Sequence, residues 1–117
     1  MKVTNNSYRQ LQLGNNDFQS VLISGTGVVK AGTILAYASG KYSAATAEDL
    51  EKPLAVCVND VTASSAGVAD RVLISGRVDG GLCFLGDAVA TDAALNALRK
   101  NSIIPVTVKQ VGQLDNQ

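Results

Sequence analysis

Arg71-Val72-Leu73-Ile74-Ser75-Gly76-Arg77-Val78 is the stretch whose reading decides the fold. Side chains alternate across an extended strand. Val72, Ile74 and Val78 therefore fall on one face, and Arg71, Leu73, Ser75 and Arg77 on the other. Gly76 interrupts the run in the manner of a β-bulge. The same signature recurs on both sides. Residues 54–58 begin just after Pro53, which suits the first residue of a strand. Leu54, Val56 and Val58 share one face, with Ala55 and Cys57 on the other. Residues 33–38 are opened by Ala31-Gly32 and closed by Ser39-Gly40, and Val21-Leu22-Ile23 ends at Ser24-Gly25-Thr26-Gly27. Beyond the central stretch, residues 82–85 follow Gly80-Gly81, and residues 103–108 place Ile104, Val106 and Val108 on one face. Short β-prone runs cut by turn residues predict a mainly β domain, a small barrel or a bent two-ribbon fold.

One segment departs from this pattern. Residues 91–101 predict a short helix: Thr91 or Asp92 caps its start, and Ala94, Leu95 and Leu98 share a face. Arg99 and Lys100 suit the negative end of the helix dipole, and Asn101 tolerates a left-handed stop. Such a short helix is marginal alone and must dock on the sheet. Residues 44–51 read equally as a second weak helix, capped by Thr46 or Ser43, or as a loop with one helical turn. Residues 1–17 are rich in Asn and Gln and poor in apolar side chains, so they predict a flexible N-terminal arm. Within it, Tyr8 to Leu13 is extended in character, with Arg9, Leu11 and Leu13 on one side. It reads as disorder, as an edge strand of the body, or as a strand that pairs with a partner's sheet edge. The body spans residues 18–117.

Composition narrows the chemistry. The chain has 117 residues, 10 Lys+Arg against 10 Asp+Glu, no His, two Cys, 46% hydrophobic and 4% aromatic residues. This length fits one domain that needs no disulfide or metal staple. Net neutrality argues against direct nucleic-acid binding. Lack of His removes the commonest general base and imidazole ligand. No signal peptide or membrane span is expected. Cys57 and Cys83 read first as buried thiols, with a disulfide as the alternative; a zinc site would lack ligands. Gly40-Lys41 is followed by Tyr42 rather than Ser or Thr, and Gly25-Thr26-Gly27 lacks a third glycine, so neither is a phosphate loop. Asp60, Asp70, Asp79 and Asp87 read as turn residues. No catalytic residue, cofactor or metal ligand is assigned, and no enzyme is expected. A lipoyl or biotinyl carrier, or another small ligand-binding β module, is the alternative reading. It rests on residues 29–35; Lys41 is the only near candidate for the modified lysine and does not match the module's pattern.

The body also resembles the lambda-type phage head decoration protein family over about residues 18–111. The resemblance runs through Val29-Lys30-Ala31-Gly32-Thr33-Ile34-Leu35-Ala36 and Ser39-Gly40-Lys41-Tyr42, a strand followed by a Gly-Lys-aromatic turn. It continues through the strands Pro53-Leu54-Ala55-Val56-Cys57-Val58-Asn59-Asp60 and Arg71 to Val78, and ends in a helix and final strand over residues 94–104. Cys57 and Ser102 stand where the family often has Gly. The resemblance implies a β-clip or β-tulip fold with one short helix, forming homotrimers at threefold sites of an expanded capsid. There they clamp neighbouring major capsid proteins against the pressure of packaged DNA. It implies a place on the outer surface of the virion, with passage through the host cytoplasm during assembly, and no membrane partner. Tyr8, Arg9, Leu11, Leu13 and Phe18 are the expected capsid contacts, with Phe18 and Val21 anchoring the arm.

Overall fold

A computed structural model describes residue 11 and residues 16–106 of the chain. Among the described residues the fold is mainly β with a single short helix. The strands are β1 (Asp17–Ile23), β2 (Gly27–Val29), β3 (Ile34–Ala38), β4 (Lys41–Ala44), β5 (Leu54–Cys57), β6 (Val61–Ala63), β7 (Val68–Asp79), β8 (Phe84–Leu85), β9 (Ala88–Val89) and β10 (Ile103–Val106). The helix α1 (Asp92–Lys100) precedes β10. The main sheet runs β1-β4-β3-β5-β7-β10, and β1 also pairs with β7. That second pairing closes β1, β4, β3, β5 and β7 into a small barrel and leaves β10 as a parallel extension beside the end of β7.

β7 earns its central place through its 12 residues. Its first part lies antiparallel to β1, from Val68 opposite Ile23 to Ser75 opposite Asp17. Its last four residues, Gly76 to Asp79, pair with β10. A register shift falls between these parts: Phe18 faces Leu73 while Asp17 faces Ser75, so Ile74 is the extra residue of a bulge. Gly76 follows at φ 132°, a conformation L side chains rarely adopt. This irregularity corrects the expected face pattern. Val72 and Ile74 do share a cluster, but Val78 packs with Leu73 in the other one. Strict alternation fails because the bulge and the glycine reset the parity of the strand.

Two apolar clusters result, one on each side of the barrel wall. Ile23, Leu35, Ala55, Cys57 and Val72 come from four of its strands and fill the interior, closed by Val29, Val61 and Ala63 of the β2–β6 ribbon. A barrel this small is filled by its own side chains. The outer face of β3, β5 and β7 carries Ile34, Leu54, Val56, Leu73 and Val78, covered by Ala94, Ala97 and Leu98 of α1 and by Ile103 of β10. β5 is thus buried on both faces, which explains its unbroken run of apolar residues. Its even positions face the helix and its odd ones the barrel interior, as its alternation predicts.

The turns are less regular than the sequence implies. Four strands went unrecognised: β2, β4, β6 and β9 are short, and β4 is polar. Residues 82–85 are a strand only at Phe84–Leu85, after a 3-10 turn over Gly80–Leu82. In residues 44–51 the loop reading prevails, with a single 3-10 turn, Ala47–Asp49, capped by Thr46 rather than Ser43. Thr91 caps α1, its hydroxyl accepting from Ala94 N at 3.3 Å. Asn101 is not left-handed: its φ is −104°, and the following Ser102 takes the positive φ of 65°. The carboxamide of Asn101 explains its own conformation. Its oxygen accepts from Leu54 N at 3.1 Å and its nitrogen donates to Ala97 O at 3.0 Å, so it bridges the helix end to β5. In β10, Ile103 and Pro105 are buried, whereas Ile104 and Val106 face outward; Val108 lies outside the described residues.

Candidate interaction site

The arm-contact residues come first. Tyr8, Arg9 and Leu13 lie outside the described residues. Leu11 and Phe18 are both half-buried and pack against the cluster under the helix. Leu11 is tied down further, because its carbonyl accepts from Asp79 N at 2.8 Å. Asn16 accepts from Arg77 N at 2.9 Å through its side-chain oxygen, and Asp17 accepts from the Ser75 hydroxyl at 3.0 Å. Leu11, Asn16, Asp17 and Phe18 therefore each meet β7. Phe18 gains a second contact, with the Arg71 guanidinium 4.7 Å from its ring centroid, a cation–π geometry. Val21 packs on the opposite side of the wall, against the barrel interior. Leu11, read as a contact for a partner, packs against this chain's own core.

Asp79 is central to this attachment, and sequence reasoning took it for an ordinary turn residue. It is fully buried at the end of β7, and its carboxylate accepts from Gly81 N at 2.9 Å, capping the 3-10 turn. The clue was its place between a valine-rich strand and Gly80-Gly81, where a carboxylate that caps a buried turn is needed. Of the other aspartates, Asp87 lies in the β8–β9 turn and Asp60 just before β6, whereas Asp70, also read as a turn residue, lies inside β7. Asp60 accepts from Ala31 N at 2.8 Å. Asp70 accepts from the Asn59 side-chain nitrogen at 3.0 Å and from Arg71 N, and these bonds hold its carboxyl below the usual carboxylate range.

Exposed apolar side chains mark the remaining surface. Leu22 and Tyr37 are each 41% exposed and flank a groove of about 410 Å³ between β1 and the β3–β4 hairpin. The hairpin turns through Ser39 and Gly40, both at positive φ, which sets Tyr37 directly opposite Tyr42. Their rings meet edge to face at 5.2 Å. Burial, and secondarily the neighbouring Tyr37, pushes the Tyr42 phenol up. On the far side, Ile104 and Val106 line the outer face of β10.

Two further expectations meet the geometry here. Cys57 and Cys83 are both free thiols, fully buried. They belong to different clusters, on opposite sides of the barrel wall. Burial raises Cys57 to about 11 and Cys83 to about 12, so neither offers a thiolate near neutrality. Lys41 is not at a hairpin tip. Ser39 and Gly40 form the tip, and Lys41 opens β4, half-buried, with its Nζ 3.5 Å from Ser65 O. Among the described residues, no group of three or more His, Cys, Asp or Glu is placed to hold a metal ion. No protein-family model matches this chain, and no curated protein matches it.

Proposed function

We propose that this chain is a structural head decoration protein of the lambda type, binding as a homotrimer at threefold sites of an expanded phage capsid. The observation that carries the reading is where the matching segments fall. Gly40 lies in the β3–β4 turn with Lys41 and Tyr42 opening β4, the two apolar segments are β5 and β7, and the last is α1 followed by β10. That these segments fall on strands, a hairpin and the helix of a mainly β fold supports the reading. The partners are the major capsid protein and two further copies of this chain, on the outer surface of the virion. An arm that orders on the shell loses free energy on the order of a few kcal/mol. Three arms on one trimer offset that loss through avidity, roughly 10²–10⁴-fold over a single contact. The carrier reading is weaker, because Lys41 opens a strand and lies against the Ser65 carbonyl instead of projecting from a tip.

The test uses expanded heads, lacking this protein, from the phage that encodes it. The full chain should sediment with these heads and add density at their threefold positions in a cryo-EM reconstruction. A variant lacking residues 1–9 should keep its melting temperature and lose binding. That deletion spares Leu11, whose removal would disturb the core. Failure of the full chain to bind at micromolar concentration, or undiminished binding of the truncated chain, would count against the proposal.

A further inference from the structure

A second feature lies away from the arm, between the β2 strand and the β8–β9 hairpin. Here a cavity of about 310 Å³ is walled by Val28, Val29, Ala44 and Phe84, with Lys30 and Asp87 also lining it. Thr33 lines it too, only 5% exposed. The backbone of Thr33 is satisfied: its N–H donates to Lys30 O at 3.0 Å and its carbonyl accepts from Cys57 N at 2.9 Å. Its hydroxyl, among the described residues, has no hydrogen-bond partner. Native proteins rarely leave a buried hydroxyl unsatisfied, so this one calls for a group that enters the cavity.

We propose that the cavity binds a compact, uncharged aromatic group with a hydrogen-bonding tip, of phenol-like chemistry. The ring packs against Phe84 and the valines, where an aromatic partner gains from edge or offset contact. The tip reaches the Thr33 hydroxyl. Lys30 and Asp87 supply one charge of each sign, so the site favours a neutral or zwitterionic guest over a net anion or cation. Such chemistry has two sources, a free small phenol or a tyrosine side chain presented by a protein segment. This site stands independently of the capsid role.

The test is a titration of the isotope-labelled full chain, followed by amide NMR shifts, with p-cresol, toluene and N-acetyltyrosinamide as probes. Shifts should concentrate at Val28, Thr33 and Phe84, and p-cresol should bind about fivefold tighter than toluene, the worth of one modest hydrogen bond. Thr33→Val should abolish that preference without lowering the melting temperature, since the lost hydroxyl had no partner. Val28→Lys, at a wall position 61% exposed, should weaken both probes in a folded protein. Tighter binding of N-acetyltyrosinamide than of p-cresol identifies a presented tyrosine as the guest, and weaker binding a free phenol. The proposal is overturned by absence of shifts at millimolar p-cresol, by equal affinity for p-cresol and toluene, or by a Thr33→Val protein that is clearly destabilised.

Discussion

Ser102 and Gly76 show how single residues set the backbone path. Ser102 carries φ 65° between α1 and β10, where its Cβ crowds the neighbouring carbonyl. Ser102→Gly should stabilise the protein by about 0.5–1 kcal/mol, read as a higher urea midpoint with unchanged slope. Gly76 is the converse. A Cβ there would collide with the side chain and backbone of Asn16, at a φ that alanine resists. Gly76→Ala should cost about 2 kcal/mol or more by the same measurement, because strain and collision act together. The cysteines give a pH dependence. Their folded values, about 11 and about 12, lie above the ordinary 9.0. The neutral thiols' contribution is therefore fully present below pH 9 and is lost as the pH rises through 11 to 12. Denaturant midpoints should fall as the pH climbs from 9 towards 11. At pH 8 a thiol reagent should label neither cysteine until the protein is unfolded.

At the scale of elements, α1 depends on its two ends and on the face between them. Thr91 caps one end, and Asn101 ties the other to β5. Thr91→Ala should cost about 1 kcal/mol. Asn101→Ala should cost about 1–3 kcal/mol, since Leu54 N is left without its acceptor. Thermal unfolding would rank the two. The helix was legible because its cap, apolar face and basic end all agree within ten residues. β4 was not, because Lys41-Tyr42-Ser43-Ala44 has no alternation to read. It is a strand because the Ser39-Gly40 turn folds it back on β3 and because Ile23 of β1 pairs alongside it. The 3-10 turn after it was half legible. The Thr46-x-x-Asp49 box was present in the sequence, but Leu50 alone is apolar before Pro53, too little to extend it into a helix.

For the whole molecule, β7 joins the closed barrel to the helix-covered outer layer. Leu73 is fully buried in the outer cluster, at the point where β1 and β5 both pair with β7. Leu73→Ala should destabilise by about 2–5 kcal/mol. Amides of β5 and β7 should be the slowest to exchange with solvent, and those of the β8–β9 hairpin among the fastest, a contrast that hydrogen exchange would measure. Attachment of the chain's start belongs to this scale as well. Leu11 and Asn16, read as part of an arm over residues 1–17, bond to β7 at Asp79 and Arg77, and Phe18 packs against the same cluster as the body.

The sequence by itself determined the mainly β class, the strands at 54–57 and 103–106, the helix at 92–100 and the buried state of both thiols. These follow from local alternation, turn residues and caps, which act over a few positions. Tertiary structure decided that β1 closes a barrel against β7, that a bulge moves Val78 to the opposite cluster from Val72, and that Asp79 is buried with its N–H bonded to Leu11. Each depends on which distant backbone meets β7. Pairing across some fifty residues leaves no periodic trace in either partner, so the contact has to form before its consequences for each side chain can be read.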